Sequence, residues 1–516
     1  MKRHQIHHSL YVLFLSALCF AIPLSKYVMS MMMIFLAANW LVEGGFSQKI
    51  ERIKHQKSVL LFLLFMLVFC LGFIRADSFL VALDYWICKL PLFLAPVIIA
   101  SSQPLKEREL GFVLSCFVFS VLFASLYSII YYATHDVMDI REISVFISHI
   151  RFSLCIDVAI VLLLYVAVKL KSVHMAFRFL ALLAVLWLCV YLFVAQTLTG
   201  VILLMLVALA YVFYVLFKRR ENRIYRVVAS AVLVLLVALT SYMLVLTYQY
   251  FHIVPETYAQ VDKETVNGNK YTHDWNSMVE NGSVIGMYVC DCELESTWPK
   301  RSRTDVNDPM IRPTLIRYLN SRHLRKDSVG VMSLSEQDVK NIENGIANVY
   351  YTSRFGMRRS LYPIFFSVEL YLDMGTVDNS TLLQRLAYWD AGWKQVKKNW
   401  GLGVGLGNHK SAVVEQLRED GCNGLSEREG IACHNQWLTL WLMGGIAVFL
   451  TFLMVLVCPF VEQKNKMSFV YVAFFIILVG SMFTEDTLET EVGLTLFAIM
   501  NALLLYGFNL NYHENA

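Results

Sequence analysis

Twelve apolar runs limit what this chain can fold into. They lie near residues 10–22, 27–42, 58–74, 79–100, 110–133, 152–168, 179–196, 200–217, 227–249, 434–460, 468–484 and 490–508. A helix needs roughly 17–25 apolar residues to cross about 30 Å of hydrocarbon. The runs therefore predict an all-α polytopic membrane protein with about twelve transmembrane helices, the first two short. Composition agrees: 57% of the residues are hydrophobic and 16% charged, against roughly 45–50% and about 25% in a soluble domain. The basic head "MKRHQIHH" and the first apolar run imitate a secretory signal. However, Leu18 stands where a lipoprotein cleavage site needs a small residue, and further spans follow at once. The first run is read as an uncleaved span.

Lys and Arg accumulate in cytoplasmic loops. With the N-terminus inside, the cytoplasmic segments collect eighteen of the 44 Lys and Arg, whereas the short outer turns and span ends hold only Lys26, Arg75, Lys89, Arg141 and Arg151. The other twenty-one fall in one long segment, 251–433, which this assignment places outside, with both chain ends inside. The expected organisation is a nine-span bundle over 1–250, an outer domain over 251–433 and three spans over 434–516. The net charge of +4 marks no partner, because the outer segment sets twenty-three acids against its twenty-one bases. Nothing favours nucleic acid.

An outer segment of this length should fold rather than hang as a loop. "SLSEQDVKNIENGIANVYY" opens with Ser333 and Glu336 in capping-box spacing and predicts a helix. "TLLQRLAYWDAGWKQVKKNW" puts Leu382, Leu386, Trp389, Trp393 and Val396 on one stripe, which fits a helix lying on the membrane surface or an ordinary packed helix. Four of the eleven cysteines lie outside the runs: Cys290, Cys292, Cys422 and Cys433. In an oxidising compartment they allow three pairings; the short loop favours Cys422 with Cys433, and the tight "CDC" spacing makes Cys290 with Cys292 a strained alternative. The x-x spacers typical of zinc ligands are absent, so no metal is expected.

"NWGLGVGLGNHK", residues 399–410, is not a nucleotide loop. A dinucleotide fingerprint needs glycine at 406, 408 or 410, where Leu406, Asn408 and Lys410 stand, and the P-loop pattern fails because His409 precedes Lys410. Gly403, Gly405 and Gly407 fit either a packing elbow or a close approach to a phosphate. Polar groups beside a membrane are costly and often functional. His434 opens the tenth span, where the positive end of the helix dipole disfavours imidazolium and suits a general base; a histidine that merely caps the helix is the alternative. "FTEDTLETE" gathers Glu485, Asp486, Glu489 and Glu491 on the same side, either as a solvated turn or as carboxylates that orient the base. Arg151, near His149 and with Asp157 about 9 Å deeper along the helix, and Arg385 present planar forks that suit a diphosphate. A snorkelling anchor explains Arg151 as well. Asp84 and Lys89 are expected to neutralise each other.

An Arg followed by Trp389, then "GLGVGLG", an insert, "HNQWL" and a nearby "GG" resembles the signature of the O-antigen ligase and O-antigen polymerase superfamily. Twelve spans with both ends inside and one large outer loop between spans nine and ten are similar to that family as well. "SHIRFSL", "TLIRYLNSRHLRKDSVG" and "EDTLETEVG" further resemble its Bacteroidetes-type branch. The resemblance implies a C-type membrane glycosyltransferase of the bacterial inner membrane that needs neither metal nor cofactor. Such enzymes move a glycan from undecaprenyl diphosphate, on the periplasmic side, to a hydroxyl of lipid A-core, of another glycan or of a protein. Residue by residue it implies His434 as base, Arg385 as a diphosphate ligand and Asp486 as the late acidic residue, supported by Asn435, Glu485 and the glycines. Many members carry a Ser-Arg pair at the turn into the eighth span; this chain has "QTLTG", 196–200. Arg151, Arg317 or Arg322 is expected to replace that arginine. Ligase activity is the first expectation, with polymerase or protein oligosaccharyltransferase activity as alternatives. A lipid-linked sugar transporter is the rival of another class, disfavoured because the notable polar groups gather at the outer face rather than at mid-membrane.

Overall fold

The computed structural model describes residues 2–135, 140–169, 173–218, 223–252, 261–352, 357–374, 381–428, 430–463 and 467–507. The chain is an all-α polytopic membrane protein. Among the described residues, seven helices are long and apolar enough to cross a bilayer: Phe79–Ser101, Glu107–Thr134, His149–Val168, Met175–Val194, Leu198–Phe217, Arg223–Phe251 and Gln436–Gln463. An eighth is counted if the bent pair Lys26–Glu43 and Phe46–Lys54, at 111°, is one span. The apolar helices Lys57–Phe73, Phe469–Ser481 and Glu491–Tyr506 are shorter; the 13 residues of Phe469–Ser481 rise only about 20 Å. All but the last residue of the first predicted run lies within the helix Lys2–Ala21, whose head carries Lys2, Arg3 and three histidines.

The chain divides into two compact units, one formed by Met1–Val232 with Arg385–Ala516 and the other by Leu233–Gln384. These boundaries differ from the expected 250 and 433. The segment from Arg385 to Cys433, predicted as part of the outer domain, packs with the membrane helices, because its glycine elbow and its helix His409–Glu419 bury Leu406, Val413 and Leu417. In the first unit the Glu491–Tyr506 helix is buried almost all round and lies against Leu90–Ser101, while Gln436–Gln463 lies against Lys57–Phe69. A helix apolar and buried on every side belongs at the centre of a bundle.

The second unit has its own apolar core around Leu294, Trp298, Leu315, Tyr318, Leu319 and Ile342. It is mainly helical, with a two-residue hairpin pairing Val279–Glu280 with Ser283–Val284. Asn281 and Gly282, at φ 57° and 75°, form its turn, the backbone that Asn-Gly pairs favour. The helix expected from 333 begins instead at Glu336. Its capping box is Ser335 with Asp338, while the Ser333 hydroxyl donates to the Gly330 carbonyl at 2.7 Å. Of the expected membrane-surface stripe, Leu382, Leu386 and Trp393 are exposed, but Val396 turns inward.

All eleven cysteines are free thiols, so the expected Cys422–Cys433 disulfide is absent. Cys433 is fully buried with its Sγ against Gly392, at a place where a Cβ on that glycine would meet it at 2.9 Å. Cys290 and Cys292 bring their Sγ atoms to 3.5 Å as a thiol–thiol hydrogen bond rather than a disulfide.

Candidate active site

Three helix N-termini meet at one place in the first unit. Arg151 stands in the first turn of His149–Lys169. His434 and Asn435 precede Gln436–Gln463, and the Asn435 Oδ1 caps that helix by accepting from the Trp437 and Leu438 amides at 3.1 and 3.2 Å. Thr490 caps Glu491–Tyr506. Each N-terminus directs the positive end of a helix dipole here, a favourable setting for negative charge, although the first amides of Gln436–Gln463 are already taken by Asn435 and the Met482 carbonyl.

The turn 485–490 ties them together. The buried Glu485 carboxylate accepts from Arg151 Nη1 at 3.1 Å and from Arg385 Nη2, and lies 4.0 Å from His434 Nδ1. Arg151 also donates through Nε to the Thr490 hydroxyl at 3.0 Å and through Nη2 to the Asp486 carbonyl at 3.4 Å. Its fork is therefore largely spent within the protein. Arg385, with 23% of its side chain exposed, has only the Glu485 contact among the described residues, so it keeps donors to offer.

Asp486 does not face the imidazole. Its Oδ2 accepts from the His434 amide at 2.8 Å, and its Oδ1 from the Asn435 amide at 3.2 Å and the Thr439 hydroxyl at 2.7 Å. Burial raises its carboxyl above the usual carboxylate range, with the nearby Glu489 adding to the rise and the Thr439 and His434 bonds opposing it. These bonds hold His434 at φ 47°, a left-handed conformation that costs a non-glycine residue energy and persists only where its surroundings impose it. Trp389 Nε1 donates to the His434 carbonyl at 3.4 Å, and the Tyr388 ring lies 5.9 Å from the imidazole. The imidazole is one-third exposed, and among the described residues its nitrogens have no hydrogen-bond partner. The carboxylate nearest the ring is thus Glu485, whereas Asp486 positions the main chain.

Behind this turn lies a second buried pair. Lys89 Nζ reaches Glu489 Oε1 at 2.8 Å rather than the expected Asp84. A break between Phe79–Cys88 and Leu90–Ser101 turns Lys89 into the bundle. Gln436 Nε2 completes the carboxylate at 3.0 Å, and the Gln436 Oε1 accepts from the Leu488 amide at 2.7 Å. Burial alone would raise the Glu489 carboxyl, but Lys89, with His409 and Gln436, brings it below its ordinary value. Asp157 lies fully buried in its helix, with no partner for either oxygen among the described residues. Polar Gln436 and Thr439, three residues apart on an apolar helix, were a signal for this network that the sequence reading passed over.

The glycine stretch is a packing elbow. Gly444 and Gly445 break the Gln436–Gln463 helix, and the freed groups are taken up by the elbow: the Val404 amide donates to the Leu442 carbonyl at 2.7 Å and the Ile446 amide to the Trp400 carbonyl at 3.0 Å. A Cβ on Gly403 would lie 2.3 Å from the Leu442 oxygen, and one on Gly405 would lie 2.5 Å from the Arg75 carbonyl. Its amides thus serve protein carbonyls. His409, at the elbow's end, is 1% exposed and packs edge-on against Tyr85 at 5.3 Å; burial lowers its imidazole to about 4.

Arg317 and Arg322 belong to the second unit. Arg317 forms a two-pronged pair with buried Glu280, at 2.9 and 3.0 Å, and stacks on Phe366. Its donors are committed there. Arg322 is 43% exposed, 3.9 Å from Asp338.

Neither a protein-family model nor a curated protein matches this chain.

Proposed function

We propose that this protein is an inner-membrane glycosyltransferase of twelve spans that transfers a glycan from undecaprenyl diphosphate to a lipid A-core hydroxyl at the periplasmic face. The observation that carries the reading is the gathering of His434, Glu485, Arg385 and Arg151 from four separated segments at three helix N-termini. Their chemistry suits a diphosphate leaving group beside a base.

In this mechanism the acceptor oxygen attacks the anomeric carbon while His434 takes its proton, and the bond from that carbon to the diphosphate oxygen breaks. The electron pair leaves with the lipid diphosphate. Arg385 neutralises the charge that develops there, aided by the helix N-termini. Glu485 lies close enough to His434 Nδ1 to stabilise the imidazolium, and it steadies both guanidiniums. Arg151 acts mainly by fixing the turn 485–490. Asp486 holds the backbone that presents His434.

Purified protein supplied with a lipid-linked glycan and each acceptor in turn tests the reading. Transfer to lipid A-core that disappears in His434→Ala supports it; an unchanged rate in that variant sinks it. Transfer only to a second lipid-linked glycan would assign a polymerase, and transfer only to protein Ser or Thr an oligosaccharyltransferase.

A further inference from the structure

The second unit carries a pair of clefts that the transfer mechanism leaves unused. One, of about 610 Å³, is lined by Arg322, Arg359, Tyr318, Tyr351, Gln337 and Asn341. The other, of about 460 Å³, is lined by Arg322 with Ser321, Ser333 and Tyr350. Both volumes fall in the range of roughly 300–1,000 Å³ typical of small-molecule sites. Arg322 borders both, at the C-terminal end of the helix Ile311–Ser321.

The state of Arg322 is unusual for a guanidinium beside a carboxylate. Asp338 stands 3.9 Å away, beyond hydrogen-bond reach. Its oxygens are already taken: Oδ1 accepts from the Tyr318 hydroxyl at 2.5 Å, and Oδ2 from the Ser335 amide and hydroxyl at 3.0 and 2.8 Å. These bonds build the helix cap and the cleft floor. Among the described residues the Arg322 side chain makes no hydrogen bond. Arg359 lines the larger cleft as well, and the positive charge with unused donors there is that of Arg322.

Around that charge stand groups that suit a polyhydroxylated ligand. Gln337 donates to Asn341, whose amide in turn donates to Tyr318 Oη at 3.1 Å, so the amides line the wall in a fixed orientation. Tyr351 supplies a partly buried ring. A planar guanidinium with free donors recognises a carboxylate or phosphate in two-pronged fashion, while fixed amides and hydroxyls exchange hydrogen bonds with sugar hydroxyls. A single inorganic ion would leave most of the cleft unfilled.

We infer that these clefts bind an acidic saccharide, its carboxylate or phosphate held by Arg322 and its hydroxyls by the Gln337–Asn341 wall. The choice of a sugar over other anions rests on the glycan-transfer reading; the choice of an anion rests on Arg322 alone. The site adds to that reading a preference for charged glycan, whether on donor or acceptor.

The test uses the full chain in lipid nanodiscs and calorimetric titration at fixed ionic strength. Trigalacturonate supplies the carboxylate form, a hexose phosphate the phosphate form, and maltotriose and inorganic phosphate the controls. At least one acidic sugar is expected to bind more tightly than either control. Arg322→Gln should weaken it roughly tenfold or more, the usual weight of a charge-assisted hydrogen bond. Arg322→Lys should recover part of the loss, and both variants should keep the wild-type melting temperature. Failure of both acidic sugars, equal binding of maltotriose or of phosphate, or an Arg322→Gln protein that binds normally overturns the inference. Titration needs no turnover, so the two readings fail separately. A protein that transfers glycan but ignores acidic sugars loses only the clefts, and one that binds them through Arg322 but transfers nothing loses only the enzyme.

Discussion

The Glu485 carboxylate holds two guanidiniums, and what each does besides differs. Arg151 is buried and also secures Thr490 and the Asp486 carbonyl, so Arg151→Gln should act on stability. Removing one partner of a buried ion pair costs about 3–5 kcal/mol, and the remaining Arg385 places the loss at the lower end, read as a fall in the melting temperature of the purified protein. Arg385→Gln should leave that temperature near wild type and slow transfer at every donor concentration. His434→Ala should lower the transfer rate by roughly 10²–10⁴, the usual weight of a general base, with the fold intact, because Asp486 grips the main chain rather than the ring. The sequence already pointed to these residues as polar groups at the outer face. It did not tell what each of them touches, because a spacing in sequence does not say whether a carboxylate will face a ring or a backbone amide. Lys89 shows the same limit: Asp84 is five residues away, yet the partner is Glu489, brought in by tertiary packing. Lys89→Met should destabilise the protein strongly by stranding Glu489, and Lys89→Met combined with Glu489→Gln should recover much of the loss; equal melting temperatures for single and double variants would contradict the pairing.

Among the elements, the elbow at 400–407 and the break at Gly444–Gly445 are two halves of one joint. A helix interrupted inside apolar surroundings must satisfy its freed amides and carbonyls from elsewhere in the protein, and Val404 and Trp400 supply those bonds. Glycine is required because the two backbones touch: a Cβ on Gly445 would sit 1.9 Å from the Gly401 oxygen. Gly405→Ala, at φ 101° and against the Arg75 carbonyl, should cost a few kcal/mol, seen as a large drop in monodisperse protein after mild heating. The alternation of glycines was plain in the sequence, and so was their use for tight approach. Their partner was not, since the "GG" lies forty residues on.

For the whole molecule, pH provides a test of how the first unit is held together. The folded protein keeps His409 neutral down to about pH 4, whereas an unfolded chain protonates it near 6.5. Stability is therefore complete above pH 6.5 and falls as the pH drops toward 4, by about 3 kcal/mol from this group. Melting temperatures measured across that window should flatten in His409→Leu; an unchanged slope would remove His409 from the account. The apolar runs by themselves determined the membrane class and the helical content, because a bilayer demands length and hydrophobicity that can be counted along a chain. They also located the polar residues at span ends. The number of full-length spans was less legible: kinks such as the 111° bend between Lys26–Glu43 and Phe46–Lys54 depend on what packs on either side. Only the tertiary structure decided where the units divide, that Cys433 meets Gly392 rather than Cys422, and that Glu485, Arg151 and Arg385 converge. Those outcomes rest on contacts between residues tens to hundreds of positions apart, chosen by shape and charge matching across helices, and no local pattern in the sequence encodes which surfaces will meet.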